Sequence, residues 1–267
     1  MDDSLFAART RWLAKAPPRR AQRAAILRHA DSGRVFDLVL VALALPVVIP
    51  LGIVVALAVF IDSPGPIFFA CPRIGRDGRP FLMWKFRKMR RGAAGGSLTQ
   101  REDVRLTPVG RSLAALRLDE LPQFWNVVKG EMRVVGPRPE VAEFVELYAS
   151  AYREILSVPP GITGVSQLAF LEERELFTDP ATATKRYRNQ ILPRKIDLDL
   201  LYVKWRTPRW DLAILARTIE LPFRLPLRRL RRALAAIGRR RPGYGPAALC
   251  ALLLVTTFLL QAGKLLG

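Results

Sequence analysis

The chain has 267 residues, of which half are hydrophobic, and 43 Lys+Arg against 23 Asp+Glu leave a net charge of +20. That excess attracts polyanions, and a positive mean hydropathy of +0.13 favours an anionic membrane surface or phosphorylated substrates over nucleic acid. Cys71 and Cys250 have no motif spacing and suggest neither a disulfide framework nor a zinc site, and the lone His29 leaves Ser-His-Asp catalysis without a base. Walker and Rossmann glycine patterns are absent.

Residues 1–34 form a basic N-terminal segment. The apolar run Val35 to Ile61 follows; it is 27 residues long, carries only Asp37 as a charge, and starts too late and runs too long for a signal peptide. A crossing needs about 20 apolar residues. Pro46 and Pro50 lie within it, and arginines crowd both flanks: Arg23, Arg28 and Arg34 before, Arg73, Arg76 and Arg79 after. The positive-inside rule places both flanks in the cytoplasm. A helix that enters, breaks at Pro46 and returns satisfies them together; an ordinary kinked transmembrane helix is the alternative.

Residues 62–220 read as a cytoplasmic domain, mostly α with minor β. Ser63-Pro-Gly-Pro66 ends the apolar run, and Ile67–Ala70 and Phe81–Trp84 are expected strands around Gly75-Arg-Asp-Gly78. Helices are expected over Arg111–Leu116, around Phe124–Val128 with a stop at Gly130, over Val141–Leu156, Pro180–Tyr202 and Trp210–Glu220. Pro159–Gly164 reads as a rigid loop. Residues 221–241 alternate leucines and arginines in the pattern of a helix lying in the headgroup layer. Residues 242–267 form a hydrophobic C-terminal segment whose uncharged run, Ala247 to Leu260, has 14 residues. It reaches about 21 Å, short of a bilayer core of about 30 Å.

Adjacent carboxylates, Asp119 and Glu120, are the chemical centre of this domain. An ionised carboxylate attacks phosphorus or binds Mg²⁺. An N-cap role for Asp119 is compatible, since a helix start favours the charged form. Arg138, stiffened between Pro137 and Pro139, offers a planar fork for phosphate. Lys85 and Arg87 share one face of an expected strand, and Arg117 lies beside the dyad. Asp197-Leu-Asp199 and Glu172, Glu173 and Glu175 read as solvated charge.

These elements resemble, from about Arg34 to Glu220, the bacterial sugar transferases, the monotopic phosphoglycosyl transferases. The resemblance rests on Val35-Phe-Asp37, Asp62-Ser-Pro-Gly-Pro66, Arg73-Ile-Gly75, Lys85-Phe-Arg87, Arg105-Leu-Thr107 and Gly110-Arg111. It continues through Leu118-Asp-Glu-Leu-Pro-Gln123, Gly136-Pro-Arg-Pro139, Pro160-Gly-Ile-Thr-Gly164 and Tyr202-Val203. It implies a small membrane-seated domain on a re-entrant hairpin, at the cytoplasmic face of a bacterial inner membrane. It also implies transfer of a sugar 1-phosphate from a UDP-sugar to undecaprenyl phosphate. Asp119 would be the nucleophile, Glu120 would share Mg²⁺ with it, and Lys85, Arg87, Arg117, Arg138 and Pro139 would bind phosphate. Ala114 and Leu171 stand where the family carries arginines; Arg117 and Arg174 are the candidate substitutes. A membrane-tethered basic scaffold without catalysis is the alternative function. Anionic lipids are expected partners, nucleic acid is not, and a homo-oligomer is compatible with the sequence.

Overall fold

A computed structural model describes residues 22–224, apart from 94, 96, 97, 100–102, 172, 174–176, 178 and 179. The expected interfacial helix past Arg224, the segment 242–267 and most of the basic segment 1–34 lie outside the described residues.

Helix α1, Gln22–Asp62, spans 41 residues with Pro46 and Pro50 inside it. The interruption expected at Pro46 is absent. Each proline removes one hydrogen bond, yet in apolar surroundings the remaining backbone groups have no better partner than their own helix. Residues Gly33–Asp62 form a stretch of 30 residues long and apolar enough to cross a membrane. Its buried side is narrow. Gly33, Asp37 and Val41 before the prolines, and Leu51, Val55, Ala58 and Val59 after them, recur at helical steps. Leu43, Ile53, Leu57 and Phe60 are exposed on the other sides.

Both ends of α1 are bound to the same body. At the first, Asp37 is 1 % exposed and accepts from Arg133 Nε at 2.7 Å and from the Val134 amide at 3.3 Å. Arg34 donates to the carbonyls of Val127 and Val128. At the other end, Asp62 Oδ2 accepts from the Val109 amide at 3.2 Å.

The body begins with an antiparallel hairpin, β1 Phe68–Ile74 and β2 Pro80–Phe86, in which Phe68 faces Phe86 and Phe69 faces Lys85. Its turn places Asp77 and Gly78 at positive φ. Helix α2, Pro108–Leu116, starts at Thr107, whose side chain accepts from the Gly110 amide. A single tight turn, Leu118–Glu120, leads to α3, Gln123–Lys129, which stops at left-handed Gly130.

Two short strands not expected from the sequence, β3 Arg133–Val135 and β4 Gly161–Thr163, pair in parallel. The expected Pro159–Gly164 loop is therefore partly strand. A Cβ on Gly161 would lie 2.0 Å from the Gly136 nitrogen, so this approach demands glycine. The expected helix Val141–Leu156 is two, α4 Ala142–Leu147 and α5 Ala149–Ile155, parted at Tyr148. Helix α6, Val165–Ala169, precedes α7, Pro180–Arg186, a wide turn Tyr187–Ile191, α8 Leu192–Trp205 and α9 Pro208–Arg224.

Two hydrophobic clusters organise the described residues. The larger gathers Met83, Val127, Val135, Phe144, Leu168, Tyr187, Ile196, Tyr202 and Ile214, with Val41 of α1 reaching into it. The smaller joins Leu51, Val55, Ala58 and Val59 of α1 to Phe86, Val109, Leu113 and Leu118. Leu118 immediately precedes Asp119, so one cluster joins the apolar helix to the turn that carries the dyad.

Candidate active site

Asp119 and Glu120 occupy the Leu118–Glu120 turn rather than a helix cap. The alternative N-cap role for Asp119 is not formed: Arg117, in the left-handed region at φ 58°, precedes the turn, and Pro122 precedes α3. That left-handed residue reverses the chain after α2 and delivers the two carboxylates towards β2.

Asp119 is 1 % exposed. Its Oδ2 accepts from Lys88 Nζ at 2.9 Å, while Oδ1 is buried with no hydrogen-bond partner. An unsatisfied carboxylate oxygen in the interior is costly and is a frequent mark of a site that completes its bonding with ligand. Glu120 is clamped differently. Arg138 approaches it through both guanidinium nitrogens, at 2.5 Å to Oε1 and 3.4 Å to Oε2, and Lys85 Nζ lies 3.4 Å from Oε1.

The electrostatics follow from these contacts. Burial alone would raise the Glu120 pKa, but Arg138, Lys85 and Arg117 outweigh it and hold this carboxyl well below its ordinary value. Lys85 is pushed down to about 8 by burial, with Arg138 and Lys88 pushing the same way against Glu120 and Asp119. Arg138 goes up despite its burial, because Glu120 pairs with it and Glu140 and Glu173 lie near.

Lys85, Arg117, Arg138 and the dyad are thus brought together, with buried Pro139 holding the loop of Arg138. Arg87 is not part of this group. The strand ends at Phe86, so the expected common face with Lys85 is lost, and Arg87 instead donates to the Ser63 carbonyl at the end of α1. Sequence reasoning overlooked Lys88, one residue further on. No local pattern marks it: a Cβ on Gly110 would lie 1.9 Å from the Lys88 carbonyl oxygen, so the close approach of α2 to residue 88, which requires glycine there, is visible only in the fold.

Two charges read as solvated are not. Asp199 is buried, and burial pushes its carboxyl up to about 7 against the Ser166 hydroxyl and Lys195; Asp197 stays exposed. Glu173 pairs with buried Lys195 at 2.7 Å. Glu172, Arg174 and Glu175 lie outside the described residues. Ala114 is buried in α2.

No cluster of three or more His, Cys, Asp or Glu able to hold a metal occurs among the described residues. Mg²⁺ does not require one, since it usually takes one or two carboxylates together with substrate phosphates and water. Glu120 Oε2, whose recorded bond is the 3.4 Å contact from Arg138, fits that use.

Residues 29–224 match the family model described as bacterial sugar transferase. A UDP-glucose:undecaprenyl-phosphate glucose-1-phosphate transferase of Klebsiella pneumoniae is 37% identical over 195 residues, covering 71% of this chain and 40% of that protein. One of the same description from Caulobacter vibrioides is 36% identical over 191 residues, covering 70% of this chain and 67% of that protein. A UDP-N-acetylgalactosamine-undecaprenyl-phosphate N-acetylgalactosaminephosphotransferase of Aeromonas hydrophila is 39% identical over 147 residues, 52% of this chain and 34% of that protein. The chain spans well under half the length of the Klebsiella and Aeromonas proteins. With the dyad, its cations and the match over most of its length in hand, the chain belongs to the bacterial sugar transferase family.

Proposed function

We propose that this protein transfers a sugar 1-phosphate from a UDP-sugar to undecaprenyl phosphate, beginning the synthesis of a surface glycan at the cytoplasmic face of a bacterial inner membrane. The observation that carries this reading is the asymmetry of Asp119: one oxygen is held by Lys88 and the other is buried without a hydrogen-bond partner, next to a glutamate clamped by Arg138 and Lys85.

Asp119 Oδ1 attacks the β-phosphorus of the donor. The bond from that phosphorus to the bridging oxygen breaks, UMP leaves with the electron pair, and the sugar phosphate is held as an aspartyl ester. A phosphate oxygen of undecaprenyl phosphate then attacks the same phosphorus, the ester bond breaks, and Asp119 returns to its ionised form. Lys85 and Arg138 sit where charge accumulates on the phosphoryl oxygens, and their preset positions need no rearrangement as that charge grows. Arg117 adds to the same field. Glu120 and Asp119 would hold Mg²⁺, which would supply further neutralisation of the phosphoryl charge. Both ends of α1 on one body support a helix whose two flanks lie on the same side of the membrane, so that a lipid-borne phosphate meets a soluble nucleotide at one carboxylate.

The test is release of UMP from a panel of UDP-sugars by the full chain in membranes supplied with undecaprenyl phosphate. Wild type should release UMP and Asp119→Asn should not. Enzyme trapped without acceptor should carry the mass of one sugar phosphate on the peptide containing Asp119. Turnover without that adduct defeats the covalent route.

A further inference from the structure

Arg87, the cation that stands apart from the dyad, is half-buried at the end of α1. Its Nη2 donates to the Ser63 carbonyl, and its Nη1 is buried with no hydrogen-bond partner. A guanidinium nitrogen taken out of water is costly unless an anion or another acceptor meets it. Among the described residues no carboxylate does so, and Asp62 at the same helix end accepts from the Val109 amide instead. Consecutive cations thus serve different places: Lys88 reaches Asp119, and Arg87 reaches the end of the apolar helix.

A second guanidinium converges on the same point. A Cβ on Gly65 would lie 3.0 Å from Arg87 Nη1, 3.0 Å from Arg91 Cδ and 3.4 Å from Arg91 Nη1. Gly65 stands at φ 129°, a conformation that L side chains rarely adopt, so the space beside both arginines is left unfilled. Pro64 and Pro66 stiffen the loop on either side. Two like charges so close repel each other, and an anion between them removes that cost. Phe60 and Ile61, in the last turn of α1 just before this loop, are exposed. They offer apolar surface where the helix ends.

We propose that Arg87 and Arg91 form a headgroup site for an anionic membrane phospholipid, whose phosphate sits at Gly65 while its acyl chains lie along the end of α1. The inference goes beyond phosphotransfer and needs only that α1 is seated in the bilayer. A lipid is favoured over a soluble anion because the pair stands where the stretch Gly33–Asp62 ends. Bulk phospholipid is favoured over the acceptor because Lys85 and Arg138, the cations placed for phosphoryl transfer, gather at Glu120 instead.

The experiment uses the full chain in detergent with phosphatidylglycerol, phosphatidylcholine, inorganic phosphate or undecaprenyl phosphate added. Native mass spectrometry counts the lipid retained by wild type, Arg91→Ala, Arg87→Lys and, as a control, Arg79→Ala at the exposed hairpin turn. The Arg91 side chain is exposed and makes no hydrogen bond or ion pair among the described residues, so its removal should leave the lipid-free unfolding midpoint as in wild type. Wild type should retain one phosphatidylglycerol in preference to phosphatidylcholine. Arg91→Ala should weaken that binding about tenfold, the scale of one lost hydrogen bond to a charged group. Arg87→Lys, which keeps the charge and loses the fork, should weaken it as well, and Arg79→Ala should not. Equal losses in Arg91→Ala and Arg79→Ala, or no loss in Arg91→Ala, overturn the site. Equal retention of phosphatidylcholine overturns it too. Displacement by inorganic phosphate at equal concentration, or a preference for undecaprenyl phosphate, overturns the assignment to bulk phospholipid. None of these readouts uses turnover: a chain that binds the lipid and releases no UMP defeats phosphotransfer alone, and one that releases UMP without the site defeats the site alone.

Discussion

Lys88 Nζ stands 2.9 Å from Asp119 Oδ2, and Asp119 is buried. The ammonium fixes the rotation of the carboxylate and leaves Oδ1 buried without a hydrogen-bond partner of its own. Replacing Lys88 by Met should therefore lower kcat by about a hundredfold or more, the scale expected when one preset electrostatic partner of a reacting group is lost. KM for the donor should move little, because Lys85 and Arg138 remain. Steady-state UMP release measures both constants; an unchanged kcat would show that Lys88 does not act on the nucleophile.

The pKa of Lys85, lowered to about 8 chiefly by burial, predicts a pH limb. Below about 8 the ammonium is charged and can neutralise phosphoryl oxygens; above it the site loses one cation, so kcat/KM should fall as pH rises through this value. Lys85→Arg should flatten that limb, because guanidinium stays charged. Stability moves the other way. An unfolded lysine, with its ordinary value of 10.5, binds the extra proton between about 8 and 10.5, so this group makes the folded state relatively more stable as pH rises across that window. Glu120 is held below its ordinary 4.5, so its contribution is present above that pH and is lost as pH falls through its lowered folded value. Profiles of kcat/KM and of thermal unfolding in detergent check the two halves separately.

Asp37 ties the apolar helix to the body through Arg133, whose other carboxylate neighbour is Asp211 at 3.6 Å. Removing one member of a buried pair costs up to about 3–5 kcal/mol when the other is left uncompensated, and here Asp211 at 3.6 Å offsets part of that loss. Asp37→Ala should lower the unfolding midpoint markedly in detergent, whereas Arg76→Ala, which removes an exposed pair with Asp77, should leave it nearly unchanged. Equal midpoints for the two variants would show that the Asp37 pair does not hold the helix to the body.

The dyad, Arg138 and Lys85 were legible in the sequence because each stands in a local pattern: paired carboxylates, an arginine between prolines, a cation alternating with apolar residues. Helices α2, α3 and α9 were legible for a similar reason, through helical spacing and the stop at Gly130. Lys88 was not, since its role depends on how closely α2 approaches across the sequence gap to Gly110. The burial of Asp199 was hidden by the same kind of cause; Lys195 stands four residues before it on α8, but Ser166, its other partner, comes from α6. Strands β3 and β4 are three residues each and become strands only by pairing with one another. Arg87 was misplaced because a strand boundary one residue earlier redirects its side chain.

Topology supplies the last prediction. Arg34 and Asp37 at one end of the apolar stretch bind α3 and β3, and Asp62 at the other end binds α2. A helix that carried Gly33 and Asp62 to opposite sides of the membrane would have to break one of these sets, and breaking the Asp37 pair is the costlier step. Single cysteines in place of Ser4 and Thr99, in a chain whose Cys71 and Cys250 are replaced by serine, should both react with a membrane-impermeant maleimide only after spheroplasts are opened. Labelling of Ser4→Cys in intact spheroplasts, with Thr99→Cys protected, would mean that α1 crosses the bilayer and that the contacts at one of its ends are not kept in the membrane.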